Sequence, residues 1–448
     1  MLWAWISTLS RRWRRQVFDE AILNWREILD TLPVIRTPVR RVFIAPDIFA
    51  LRSGGGRVPR IETKAPRPSA SAPARGRALA CPPAGLVFDR VAGEHARRAM
   101  DGSAMLTDRI ESGWIDAFAE VFGMCRMRPD EAIVMLSETQ SRPLNLHLAE
   151  LALGRLKLPF FRIEVPTPAH GPGPILRSTG ASTALVGQAL AVDSLSRADV
   201  VIDLTLEGLM HSAETAAILK GGARIMTVSN EHPEALARTV PTTELRERAR
   251  DAVARCRSAR EMTVRSEAGS DLTVAMEEAA AVGVWGWTDR SGTLAHWPGG
   301  IVACFPRAGA ANGRLAFRPG DMNLTFKRYF EGSVDLDLRD DYVVGVEGVG
   351  TDAALMRDYY EGFAEREARA VSHVGWGFNP GARYEALAMY GRRDLNCTEL
   401  RAVPGNFLFS TGANAFAGRF TSGHFDLPMM GCDIALDGVA VVEGGKLK

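Results

Sequence analysis

The chain has 448 residues, 46% of them hydrophobic and 24% charged, and a formal net charge of +1. That length suffices for two or three domains with ample core, and the composition is ordinary for a soluble globular protein. So neutral a balance offers no global field to nucleic acid or an acidic membrane, and neither is expected as a partner.

The charge is unevenly placed. Residues 1–104 carry 18 Lys/Arg and 9 Asp/Glu, whereas the remainder carries 36 and 44. They read as a basic extension, largely disordered, on a mildly acidic body. Phe18–Leu32 predicts one helix there. Gly54-Gly55-Gly56 and the Pro, Ala, Ser and Arg-rich run from Ala65 to Pro83 predict disorder. No helix pattern follows the glycines, so they are not a phosphate loop. The opening MLWAWISTLSRRWRRQ puts its apolar stretch before its arginines, the reverse of a secretory signal. Met100 or Met105 would serve as a start for the body. No run of 18 apolar residues is present, so no spanning helix is expected. The 6 cysteines are scattered, with no CxxC pair, which excludes zinc-ribbon and thioredoxin motifs. They read as buried apolar thiols of a cytoplasmic protein.

At Arg109 the pattern sharpens. Ile110, Trp114, Phe118 and Phe122 recur every four residues, which predicts an amphipathic helix. Ala132–Leu136 predicts a buried strand, Leu144–Leu156 a helix, and Phe160–Val165 a strand entered through Pro159. Val200–Leu204 is a further strand, Ala213–Lys220 a short helix stopped by Gly221-Gly222, Arg224–Val228 a strand and Thr243–Arg260 a charged helix. Strands alternating with helices predict βαβ units, so residues 105–260 read as an α/β domain with a mainly parallel sheet. Neither GxGxxG nor a Walker loop occurs, and no nucleotide cofactor is indicated.

Beyond Glu261 the texture changes. MTVRSEAGSDLTVAM alternates around a Gly-Ser-Asp turn and predicts a hairpin. Strand-like runs follow at Ile301–Phe305, Arg314–Phe317, Ser333–Leu338 and Tyr342–Val346, with a helix at Ala353–Arg366. A last hairpin crosses Leu436-Asp437-Gly438-Val439. Residues 261–448 therefore read as an α+β, mostly antiparallel domain, within an α/β chain overall.

The chemistry concentrates in that second domain. His424-Phe425-Asp426 lies in a strand-like segment, and side chains at i and i+2 share a face, about 7 Å apart along the backbone. On spacing alone the triplet reads first as a hydrogen-bonded strand histidine. The rival His232-Pro233-Glu234 reads as a solvated helix start. His373, in SHVGWGFNPGARY, changes the weighing. His373, His424 and Asp426 make a two-histidine, one-carboxylate set. Such a triad on one face of Fe(II) leaves three positions open, but zinc hydrolases use the same donors, so the spacing does not choose the metal. Gly375, Gly377 and Gly381 near one half, and Gly412, Gly418 and Gly423 before the other, suit tight turns and close backbone approach. GxSxG and HExxH are absent.

The body from about Met105 to Lys448 resembles the 2,5-dihydroxypyridine 5,6-dioxygenase family, the ring-opening enzymes of bacterial nicotinate degradation. HWPGG (His296–Gly300), SHVGWGFNPGARY (Ser372–Tyr384), GNFLFSTGAN (Gly405–Asn414) and HFDLPMMGC (His424–Cys432) carry the resemblance. It implies a mononuclear Fe(II) enzyme that inserts both atoms of O2 across C5–C6 to give N-formylmaleamate. Its iron ligands fall on His373, His424 and Asp426. The family also looks related in fold to the thermophilic-type metalloaminopeptidases. Those use glutamates at two further metal positions, where this chain has His373 and Ile301, so a two-metal site would miss both carboxylates.

Three softer candidates remain. His211 follows the strand Val200–Leu204, and ligand crevices open at the carboxyl ends of parallel strands. With a pKa near 7 it would serve as the base for a substrate hydroxyl; otherwise it is a surface or N-cap histidine. Ser410, in FSTG, would hydrogen-bond substrate, or simply make a turn. His296 would line the pocket, or turn against Pro298. The expected partners are an N-heteroaromatic small molecule and O2, with a homo-oligomer as the assembly. A metal-dependent aminopeptidase-like hydrolase and a binding protein without turnover are the alternatives.

Overall fold

The computed structural model describes residues 109–169, 182–363 and 365–448. The expected extension, its helix and its disordered runs lie outside the described residues.

Helix Ser112–Met124 buries Ala117, Phe118, Val121 and Phe122 on one side, while Trp114 is half-buried and Ile110, before the helix, is exposed. Burying each phenylalanine contributes about 2–3 kcal/mol. Phe118 meets Trp297 edge-on, ring centroids 5.1 Å apart. That contact ties this helix to the parallel sheet.

The parallel sheet runs in the order Phe160–Val165, Ile133–Glu138, Val200–Asp203, Arg224–Val228, Leu294–Trp297. All four pairings are parallel. Its middle strands are buried along their whole length, as strands covered on both faces must be. The fifth strand comes from beyond residue 260, with Thr227 opposite His296. Helices Pro143–Arg155, Thr215–Lys220 and Thr243–Ser258 fall where the sequence placed them, within two residues at each end. Helix Ala189–Ser196 was not anticipated, whereas Pro233–Arg238 begins at the helix start read at His232-Pro233-Glu234. His232 caps the second of these, its Nδ1 accepting from the Glu234 N–H at 3.2 Å, so the rival triplet is a helix start, half-buried rather than fully solvated.

Antiparallel sheets of eight and five strands, with the short pair Met322–Asn323 and Arg328–Tyr329, make up the other β structure among the described residues. The eight-stranded sheet includes the hairpin Glu261–Arg265 with Asp271–Ala275 and the closing hairpin around Asp437-Gly438. Asp437 and Gly438 both have positive φ, 48° and 80°, as a two-residue hairpin turn requires. The other, here the site sheet, has the order Arg419–Asp426, Phe407–Asn414, Val371–Gly377, Ile301–Phe305, Ala280–Val284. One apolar cluster runs from Phe118, Met135 and Ile202 through Trp297 to Val374, Phe409 and Ile434. The two halves therefore share a core. The fold is mixed α/β, with one parallel sheet and antiparallel sheets beside it.

Among the described residues no helix is long and apolar enough to cross a membrane. Cys125, Cys256, Cys304, Cys397 and Cys432 are free and buried.

Candidate metal centre

Three neighbouring strands of the site sheet set the geometry. His373 pairs with Ser410, Ser410 pairs with Asp426, and His424 sits one pleat away opposite Gly412. Paired residues point to the same face, so His373, Ser410 and Asp426 form a row across the ladder. Register shifts between Val371 and His373, and between Gly412 and Asn414, twist the strands beside the site. Two glycines permit the close packing. A Cβ on Gly412, at φ 123°, would lie 2.1 Å from the Gly423 carbonyl oxygen, and one on Gly375 would lie 1.9 Å from that of Val302. Both are inside strands, so close approach rather than turning is their use.

The ligand-type atoms of His373, His424 and Asp426 lie within 4.8 Å of one another, all three residues buried. Asp426 Oδ1 is 3.3 Å from His424 Nε2 and 3.8 Å from His373 Nε2. The two imidazoles stack with centroids 5.5 Å apart. No other group of three ligand-type side chains converges in this way among the described residues.

The partners of this set fix its protonation. The Ser372 hydroxyl donates to the Ala413 carbonyl at 2.5 Å and stands 3.3 Å from His373 Nδ1. Having spent its one proton, it accepts from Nδ1–H, which leaves the Nε2 lone pair facing Asp426. Burial pushes His373 down to about 3, so it is neutral at pH 7. Burial works against the Asp426 charge, but the Arg401 guanidinium, foremost among its neighbours, outweighs it and holds the carboxyl well below its usual range. Arg401 Nε donates to Asp426 Oδ2 at 2.5 Å, and the Ser410 hydroxyl donates to Oδ1 at 2.6 Å. Neutral imidazole and ionised carboxylate are the forms a metal needs. His424 Nδ1 is buried without a hydrogen-bond partner.

Each softer candidate has a definite place. The His211 ring lies 4.8 Å from that of His424, brought there by the loop beyond Asp203. It is half-buried, and the next helix is preceded by Glu214, so His211 is not its N-cap. Burial and the two neighbouring imidazoles depress its pKa well below 6.5, away from the value near 7 expected of it. Ser410 is in the row itself, inside a strand rather than a turn. His296 is in the last parallel strand, where its Nδ1 bonds the Pro298 carbonyl at 2.7 Å, and burial pushes it down to about 4. Phe305 stands beside His373, and Phe416 beside Phe305, at centroid distances of 5.3 Å each. They give the site an aromatic wall.

A model of the 2,5-dihydroxypyridine 5,6-dioxygenase family matches residues 113–448. The chain belongs to that family. The 2,5-dihydroxypyridine 5,6-dioxygenase of Pseudomonas putida KT2440 is 36% identical over 332 residues, 73% of this chain and 94% of the relative. A solved structure of 2,5-dihydroxypyridine dioxygenase from the same organism superposes with a TM-score of 0.70 at 35% identity, over 76% of this chain and 98% of that one. Wild-type AmpT from Thermus thermophilus, 14% identical, superposes with a TM-score of 0.53 over 75% of this chain and 98% of its own. That likeness is one of fold alone, and it is consistent with the aminopeptidase-like architecture expected from the sequence. Ile301, buried in the site sheet, offers no ligand atom.

Arg401 and Phe305 were not singled out from the sequence. Arg401 ends the four-residue helical turn Thr398–Arg401 and acquires meaning only from its contact with a residue 25 positions on. Phe305 ends an apolar strand and reads as core. The one available signal was adjacency in register, which a single sequence does not display.

Proposed function

We propose that this chain is an Fe(II)-dependent, extradiol-type dioxygenase. It would open 2,5-dihydroxypyridine, or a close hydroxypyridine, between C5 and C6 and place both atoms of O2 in N-formylmaleamate. The observation that carries the reading is the buried two-histidine, one-carboxylate cluster in a chain of this family.

The residues fit such a metal. Two imidazoles and one carboxylate leave open positions for small molecules. Arg401 occupies one oxygen of Asp426 and leaves the other toward the imidazoles. His373, His424 and Asp426 would hold the ion. Bound there, Fe(II) would activate O2 and finish as Fe(II), while the electron-rich ring would be the net source of the electrons that reduce O2, without an oxoacid, NADH or flavin.

The remaining groups bind, orient and move protons. Phe305 and Phe416 suit a planar ring. Ser410 keeps Asp426 oriented through its 2.6 Å hydrogen bond. His211 is uncharged at pH 7 because burial and His424 and His373 oppose its protonation. Its lone pair can accept the proton of a ring hydroxyl, and a site that disfavours imidazolium returns that proton readily. Substrate and O2 contain all the atoms of the product, so a proton taken up must be given back.

The test is to prepare the enzyme without oxygen, add Fe(II), and follow O2 uptake against a panel of hydroxypyridines. Iron-dependent uptake with 2,5-dihydroxypyridine supports the reading. Metal-dependent peptide hydrolysis without O2 would transfer the case to a hydrolase.

A further inference from the structure

The turn that carries Arg401 is held in place by the other half of the molecule. Glu231 lies three residues beyond the parallel strand Arg224–Val228 and is fully buried. Its carboxylate makes no ion pair among the contacts described. Instead it accepts from the backbone N–H groups of Asn396 at 3.0 Å, Thr398 at 2.6 Å and Glu399 at 3.4 Å. Between them Cys397 has φ 63°, the left-handed conformation that turns successive amides toward one anion. Asn145 secures Glu231 in turn, donating to its carbonyl oxygen at 3.0 Å.

Other ties run the same way. Arg142 pairs with Asp394, and Arg238 donates to the buried Glu399 carboxylate at 2.7 Å. Burial, with Glu231 alongside, pushes Glu399 up to about 7. At the far end of the turn stands Arg401, on Asp426. Thus a carboxylate of the parallel-sheet half fixes the backbone that delivers the Arg401 guanidinium to a candidate ligand.

We infer that Glu231 is a positioning residue, which sets metal affinity by holding the Asn396–Arg401 turn so that Arg401 occupies Asp426 Oδ2. The inference rests on the metal reading above. Without Glu231, three amides lose their acceptor and the turn relaxes. Arg401 then leaves Asp426, whose carboxylate is no longer oriented with Oδ1 toward the imidazoles.

The experiment is a Co(II) titration of the full-length metal-free protein without oxygen, read from the visible absorption of bound cobalt. Wild type, Glu231→Ala, Glu231→Gln, Arg401→Ala, the Glu231→Ala/Arg401→Ala double variant and Asp426→Ala are compared. Partners of metal ligands contribute about 10–100-fold to affinity, and Glu231→Ala should weaken binding by about tenfold. Glu231→Gln keeps an acceptor oxygen and should weaken it less. On the Arg401→Ala background the loss of Glu231 should add nothing, because its effect passes through Arg401. If Glu231→Ala fails to fold by circular dichroism, Glu231→Gln carries the same cycle. Wild-type affinity in the folded Glu231 variants overturns the inference, as does an undiminished loss on the Arg401→Ala background. A cobalt spectrum indifferent to Asp426→Ala would instead remove the metal reading, and the inference with it.

Discussion

The parallel sheet and the site sheet bring groups to the same place by different means. In the parallel sheet the central strands, IVMLSE, VVID and RIMTV, are buried and mostly apolar, and most of their side chains are spent on core. His211 and Glu231 come from loops beyond strand ends. In the site sheet the polar groups are inside the strands. His373, Ser410, His424 and Asp426 are held by a hydrogen-bond ladder whose register fixes their spacing. The lesson is a division of labour. Groups set by a ladder suit a metal, which tolerates little displacement, and groups on loops suit proton transfer and tuning.

Breaking the ladder set should have the largest effect. His373→Ala, His424→Ala and Asp426→Ala should each abolish turnover and lower bound iron while circular dichroism stays native. Wild-type iron content in any of them would take that residue out of the ligand set. Arg401→Ala, which cuts the link between the two regions, comes next. Losing one partner of a buried ion pair costs about 3–5 kcal/mol, so the midpoint of urea unfolding should fall markedly, with Arg401→Lys recovering part of it. An unchanged midpoint would mean that Asp426 is satisfied without Arg401.

A subtler effect belongs to the parallel sheet. His296 is depressed to about 4 in the fold, against about 6.5 in an unfolded chain. As pH falls from 6.5 toward 4 the unfolded chain gains a proton that the folded chain refuses. The stability His296 contributes is therefore complete above 6.5 and lost through that window. His296→Gln, which can still donate to Pro298, should lessen the fall in melting temperature between pH 7 and pH 4.5. An identical fall in both proteins would show that His296 is not the buried neutral group described. The smallest effect concerns residues 1–104, which precede the family match beginning at residue 113. A chain starting at Met105 should fold and turn over like the full one, as assayed by circular dichroism and O2 uptake. Loss of either would make the extension structural.

Much of this division could be read from the residues. Apolar runs and helical stripes found four of the five parallel strands and most of their helices because those signals are local. The i, i+2 spacing put His424 and Asp426 on one face, and the histidine of the Ser372–Tyr384 motif supplied the third member. Ala280–Val284 escaped because AAVGV has little side chain to mark a strand. Leu294–Trp297 escaped because its pairing partner lies some seventy positions earlier, and four residues cannot announce a non-local parallel strand. Glu231 was legible only as the residue before a helix start. Its meaning comes from backbone amides about 165 positions away, which no pattern in the chain could show.

The most direct test of the central claim uses isotopically labelled O2. Iron-loaded enzyme given 2,5-dihydroxypyridine under labelled gas should yield a ring-opened product with two labelled oxygens, one in the formyl group and one in the new carboxylate, with no added cosubstrate. A single labelled atom, or a requirement for 2-oxoglutarate or NADH, would contradict it.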